Sequence, residues 1–72
     1  MKNSKTYRYE IRYTLGHQLI ALTDVPKTAL EEGKRSLGIV EIIDNDSYQH
    51  YAARFLDGVI ITMSPVFKKD LS

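Results

Sequence analysis

The feature that most constrains the fold is a strict alternation of apolar and polar residues over positions 7–15. The apolar residues are Tyr7, Tyr9, Ile11, Tyr13 and Leu15, and those between them are Arg8, Glu10, Arg12 and Thr14. Successive side chains of a β-strand point to opposite faces, so this period of two predicts a strand with one buried and one solvated face. Aromatic and β-branched residues also fit a pleated surface.

A hairpin is predicted to follow this strand. Gly16-His17 separates it from the apolar run Leu19–Thr23, and glycine in the first central position is typical of a two-residue type II′ turn. That turn places Ile11 opposite Leu22, and directly opposed residues share a face. The apolar faces of the two strands therefore coincide.

A helix is predicted over residues 27–37. Asp24 is expected to cap its first turn and Pro26 is tolerated there. Gly33 weakens a helix by about 1 kcal/mol relative to alanine, which is acceptable if a strand must approach closely. The residues expected to face the core are Val25, Ala29, Leu30, Gly33 and Leu37.

Two further strands are indicated in the second half of the chain. Ile39–Ile43 is short and β-branched, as strands are. Asp57-Gly58 lies between apolar runs and predicts a tight hairpin that pairs Leu56 with Val59. The last strand then ends before Pro65, which cannot donate to a ladder.

Residues 47–56 support two interpretations. The Asp57-Gly58 turn favours a strand here. The alternative is a second helix, because Tyr48, Tyr51, Ala52, Phe55 and Leu56 follow helical spacing.

The sequence therefore predicts an α+β fold in a single domain, residues 1–72. A small, mostly antiparallel sheet would carry one helix on one face, in the order β-β-α-β-β-β. With a helix at 47–56 the order becomes β-β-α-β-α-β. Residues 65–72 are predicted to form a short C-terminal tail.

Composition narrows the classes of function. Ten Lys+Arg against nine Asp+Glu give a net charge of +1, which argues against a strongly basic nucleic-acid binder. The chain has no cysteine, and its two histidines, His17 and His50, have no metal-ligand spacing. No apolar run reaches the length of a membrane span and no signal-peptide core follows Met1. We expect a cytoplasmic, non-catalytic protein without metal or cofactor.

The third and fifth predicted strands are apolar on both sides, and such strands are usually buried on both faces. One helix cannot cover both faces, so we expect a second copy, another protein or the C-terminal tail to cover the rest. This predicts a small regulator or inhibitor that blocks a surface of another protein. The chain could act in this way as a homodimer. An inhibitor encoded by a phage or mobile element would fit the size. The predicted contact residues are Ile42, Tyr48, Ile61, Met63 and Phe67, with Arg54 at the rim.

The alternative is a nucleic-acid-binding module that uses the basic residues of the first strand. Lys5, Arg8 and Arg12 could follow a phosphate backbone. Against this, Glu10 lies between the arginines, and the tyrosines that could stack on bases lie on the opposite face.

Overall fold

The computed structural model describes residues 7–46 and 50–72, and for His50 it describes the backbone only. The elements in chain order are β1 (Tyr9–Tyr13), β2 (Leu19–Thr23), α1 (Pro26–Arg35), β3 (Ile39–Asp44), β4 (His50–Leu56), β5 (Val59–Met63) and α2 (Pro65–Leu71). The strands form one antiparallel sheet in the order β2-β1-β3-β4-β5. The predicted α+β class and the order β-β-α-β-β-β are confirmed.

The central strand is β3, which pairs with β1 on one side and with β4 on the other. Its alternate residues Val40 and Ile42 point to the face that the helices cover, where Ile42 lies opposite Ile11. Both isoleucines are fully buried. The period of two in β1 therefore sets which face of the sheet is covered.

The core lies between the sheet and both helices. It consists of Tyr9, Ile11, Ala29, Val40, Ile42, Ala52, Ala53, Phe55 and Phe67. Gly33 of α1 faces Phe55 of β4, and a Cβ at Gly33 would overlap the Phe55 ring. A strand therefore approaches α1 closely at Gly33, which is the condition under which a glycine was expected to be acceptable in this helix.

The β1–β2 hairpin forms, but its register differs from the predicted one. The amide of Tyr13 donates to the carbonyl of Gln18 at 2.9 Å, which leaves residues 14–17 in the loop. A bulge in β2 then moves Leu22 opposite Glu10 instead of Ile11. A shift of one residue moves a side chain to the other face of the sheet. The predicted type II′ turn is also wrong, because Gly16 and His17 both have positive φ, 80° and 58°.

The β4–β5 hairpin has the predicted register, with Leu56 opposite Val59. Asp57 and Gly58 both have positive φ, 50° and 84°, as a two-residue type I′ turn requires. The turn is fixed to the segment after α1, because the carboxylate of Asp57 accepts from the amide of Gly38 at 2.8 Å. In return the amide of Asp57 donates to the carbonyl of Gly38 at 3.0 Å.

The second helix is in residues 65–71, and the alternative helix at 47–56 is not found, since residues 50–56 are β4. The predicted short C-terminal tail, residues 65–72, thus contains a helix. Ser64 caps α2 by accepting from the amide of Phe67 at 3.1 Å, and Pro65 occupies the first turn. Proline ends β5 and begins α2, so it has both roles.

Three expectations for α1 are wrong. The helix spans Pro26–Arg35 instead of 27–37, and its N-cap is Val25, without a side-chain cap. Asp24 instead accepts from the amide of Arg8 at 2.8 Å. Val25 and Leu37 lie beyond the helix ends and are exposed, because the helical spacing that would turn them inward does not extend to them.

Candidate protein-binding face

Both helices pack on one face of the sheet, and the opposite face, here called the open face, is not covered by any described element. Since Tyr9 and Ile11 point to the helices, Glu10 and Arg12 of β1 point to the open face. Cross-strand pairing continues this face through all five strands.

The open face consists of three cross-strand rows. The first row is Val59, Leu56 and Ile39; the central row is Thr62, Arg54, Glu41, Arg12 and Leu19; the third row is Tyr51, Ile43, Glu10 and Leu22. Large apolar residues form the whole first row and lie at both ends of the third. Charged residues occupy the middle of the face.

The apolar residues of the open face are well exposed. Leu19, Leu22, Ile39, Tyr51, Leu56 and Val59 have exposures between 44% and 68%. A single exposed leucine is ordinary, whereas several on one continuous face are typical of interaction sites.

Glu41 is a buried carboxylate on the open face, with an exposure of 1%. Arg12 donates from Nε to its Oε2 at 2.8 Å, and the hydroxyl of Thr14 donates to its Oε1 at 3.4 Å. Glu10 lies 4.0 Å from the same guanidinium. A buried charge is tolerated when it is paired and hydrogen-bonded, so the ion pair with Arg12 is what stabilises the buried carboxylate of Glu41.

Arg54 is the other arginine of the central row and is held differently. Its guanidinium lies over the ring of Tyr51, 4.1 Å from the ring centre. Although Arg54 lies opposite Glu41, its buried Nε has no hydrogen-bond partner in residues 7–46 and 50–72. The cation is therefore ordered by stacking and leaves hydrogen-bonding capacity unused.

A shallow depression of about 360 Å³ lies at the end of the face where the third row runs. It is lined by Glu10, Arg12, Ile43, Asn45 and Tyr51. The polar lining adds hydrogen-bonding groups beside the exposed ring of Tyr51.

The predicted contact residues do not form one surface. Ile42 and Phe67 are fully buried in the core, and Met63 is half-buried against it. Ile61 is exposed on β5, Arg54 lies in the open face, and Tyr48 lies outside the described residues. Ile42 was misplaced because an apolar run such as β3 does not show which of its side chains lie under helices.

The residues of the open face that sequence reasoning missed are Leu19, Leu22, Ile39, Tyr51, Leu56 and Val59. The positions of Leu56 and Val59 could have been predicted. The predicted turn pairs these two residues, and Leu56 must point to the opposite face from its neighbour Phe55 in the same strand. The position of Leu22 could not have been predicted, because it depends on a single-residue bulge in β2.

The basic residues of the nucleic-acid alternative are separated. Arg8 donates to Asp44 at 3.1 Å and to Asp70 of α2 at 2.8 Å, on the side of the helices. Its hydrogen bond to Asp44 raises the pKa of Arg8 above its usual value. Arg12 is paired with Glu41 on the open face, and Lys5 lies outside the described residues. A phosphate would have to compete with carboxylates for both arginines.

Within residues 7–46 and 50–72, no group of three or more His, Cys, Asp or Glu is placed to hold a metal ion. His17 is exposed in the β1–β2 loop. No helix in the described part of the chain is long and apolar enough to span a bilayer.

No protein-family model, curated protein or solved structure matches the chain.

Proposed function

We propose that this chain is a non-catalytic protein-binding module, a small regulator or inhibitor that covers a surface of another protein with the open face of its sheet. The single observation that supports this most is the position of the helices. Both lie on the same side, which leaves six large apolar residues exposed on the other.

The charges of the open face favour a protein over a nucleic acid. The face carries Glu10 and Glu41 with Arg12 and Arg54, so its described charges balance. Nucleic-acid binding depends on a net positive surface that neutralises phosphates. An apolar surface around a balanced polar centre instead resembles the apolar core and polar groups of protein interfaces.

Arg54 and Tyr51 are proposed as the centre of the contact. Arginine and tyrosine are over-represented among residues that dominate binding energy. Stacking fixes the guanidinium before binding, which reduces the entropy lost on association. The partner is expected to place a carboxylate or carbonyl oxygen against Arg54.

A capture experiment with matched variants tests the proposal. Leu56→Glu introduces a charge into the first row of the open face, and Val66→Glu makes the same change on the exposed side of α2. The immobilised full chain and both variants are incubated with a lysate of the native host, and folding of each is checked by circular dichroism.

We expect the native chain and Val66→Glu to retain the same protein. Leu56→Glu is expected to bind it at least about tenfold more weakly, which corresponds to a loss of about 1.4 kcal/mol or more. Retention by folded Leu56→Glu equal to that of Val66→Glu would contradict the proposal. Failure of the native chain to retain any protein would contradict it as well.

A further inference from the structure

The outer edge of β5 is the most exposed edge of the sheet. β5 pairs with β4 on one side, and no strand of the described residues pairs with its other side. Val59, Ile60 and Ile61 have exposures of 68%, 38% and 55%. The opposite edge, β2, has three half-buried residues out of five and packs beside α1.

Sheet edges in soluble proteins usually carry features that prevent pairing with another strand, such as lysine, proline or a bulge. β5 has no charged residue and no proline. Its one such feature is the register shift next to Ile61. Four consecutive residues, Val59–Thr62, are β-branched and have high strand propensity.

We propose that β5 pairs with β5 of a second copy of this chain, in antiparallel orientation about a two-fold axis perpendicular to the sheet. Edge pairing satisfies outward-facing backbone groups and removes Val59 and Ile61 from water. This inference goes beyond the proposed function, since it concerns an edge and not the open face.

A second copy is the occupant that fits the charge of the edge. In a two-fold contact the same patch meets itself, so any charged residue on it would meet its own copy. β5 carries no charge and is therefore compatible with itself. It also offers no charge that would select a strand from a different protein.

The pairing has a consequence for the whole assembly. A two-fold axis perpendicular to the sheet keeps both open faces on the same side and all four helices on the other. The result is a continuous ten-stranded sheet built from the five described strands of each copy.

Size-exclusion chromatography with light scattering over a wide concentration range tests the pairing. The native chain is expected to approach twice its mass of 8.3 kDa as concentration rises. Ile61→Lys places like charges at the junction and is expected to stay monomeric. Leu15→Lys makes the same kind of change in the exposed β1–β2 loop, far from β5, and is expected to dimerise as the native chain does.

A native chain that stays monomeric at the highest concentration would overturn the pairing, and so would a folded Ile61→Lys that still dimerises. If Ile61→Lys does not fold, hydrogen exchange of the native chain decides the question. We expect β5 amides to exchange more slowly as concentration rises while β2 amides do not; unchanged β5 exchange overturns the pairing. Loss of dimer with retained capture by the open face would leave the proposed function intact.

Discussion

Gly33 lies near the end of α1, on the surface that faces Phe55 of β4. At an exposed helix position, replacing glycine with alanine stabilises by about 1 kcal/mol. Here the added methyl group overlaps the Phe55 ring, and overpacking a core costs typically about 1–3 kcal/mol. We therefore expect Gly33→Ala to lower the free energy of unfolding in a urea titration.

The matched control is Glu31→Ala, on the exposed side of the same helix. It adds alanine without entering the core and is expected to change stability by less than about 0.5 kcal/mol. If Gly33→Ala stabilises the chain, the close approach of α1 to β4 is not as described.

Tyr9 is a buried phenol whose ionisation is opposed by the fold. Burial raises the pKa of Tyr9 from its usual value near 10 to about 12. Between those values the unfolded chain loses the phenolic proton and the folded chain keeps it, so stability falls as pH rises. A difference of about 2 units corresponds to about 2–3 kcal/mol lost by pH 12.

Comparing the native chain with Tyr9→Phe isolates this contribution in urea titrations at several alkaline pH values. At neutral pH the variant lacks the bond from the Tyr9 hydroxyl to Asp70, 3.2 Å long, and is expected to be about 1 kcal/mol less stable. Above pH 10 its stability should fall less steeply than that of the native chain. Parallel decreases in both proteins would contradict the assignment.

At the scale of elements, α2 is the part whose role differs most from the sequence prediction. Phe67 is fully buried, and its ring meets that of Tyr9 edge to face at 5.4 Å between centres. Removing a buried phenylalanine costs typically about 3–5 kcal/mol. Phe67→Ala is thus expected to lower the thermal midpoint strongly, whereas Val66→Ala, on the exposed side of α2, should shift it little. Equal small shifts would indicate an undocked tail.

Elements that neighbouring residues specify, through alternation or a defined turn, could be predicted from the sequence. Elements without such a local pattern could not. The alternation in β1 and the Asp57-Gly58 turn each impose a geometry on a few neighbouring residues, so the strand and the β4–β5 register followed from sequence. α2 has seven residues, too few for helical periodicity to show, and its remaining signal was the Ser64-Pro65 start.

At the scale of the molecule, the sequence predicted that one face of the sheet lacks cover but misidentified most of the residues on it. Side chains alternate between the two faces along a strand, so each extra residue at a bulge exchanges the faces of the residues beyond it. Register shifts of this kind occur in the β1–β2, β3–β4 and β4–β5 pairings. Burial of Glu41 depends on the position of Arg12 on a neighbouring strand, which periodicity alone does not reveal.

The central position of β3 also has a consequence for how the chain folds. β1 with β2, and β3 with β4 and β5, are neighbours along the chain, so these two units need only short loops to close. The two units are joined by the β1–β3 pairing, in which Tyr13 lies opposite Val40. In sequence, β2 and α1 lie between these two strands. Long loops lose more entropy on closure, and contacts distant in sequence slow folding. We therefore expect docking of β1 on β3 to limit the refolding rate, which stopped-flow kinetics can measure.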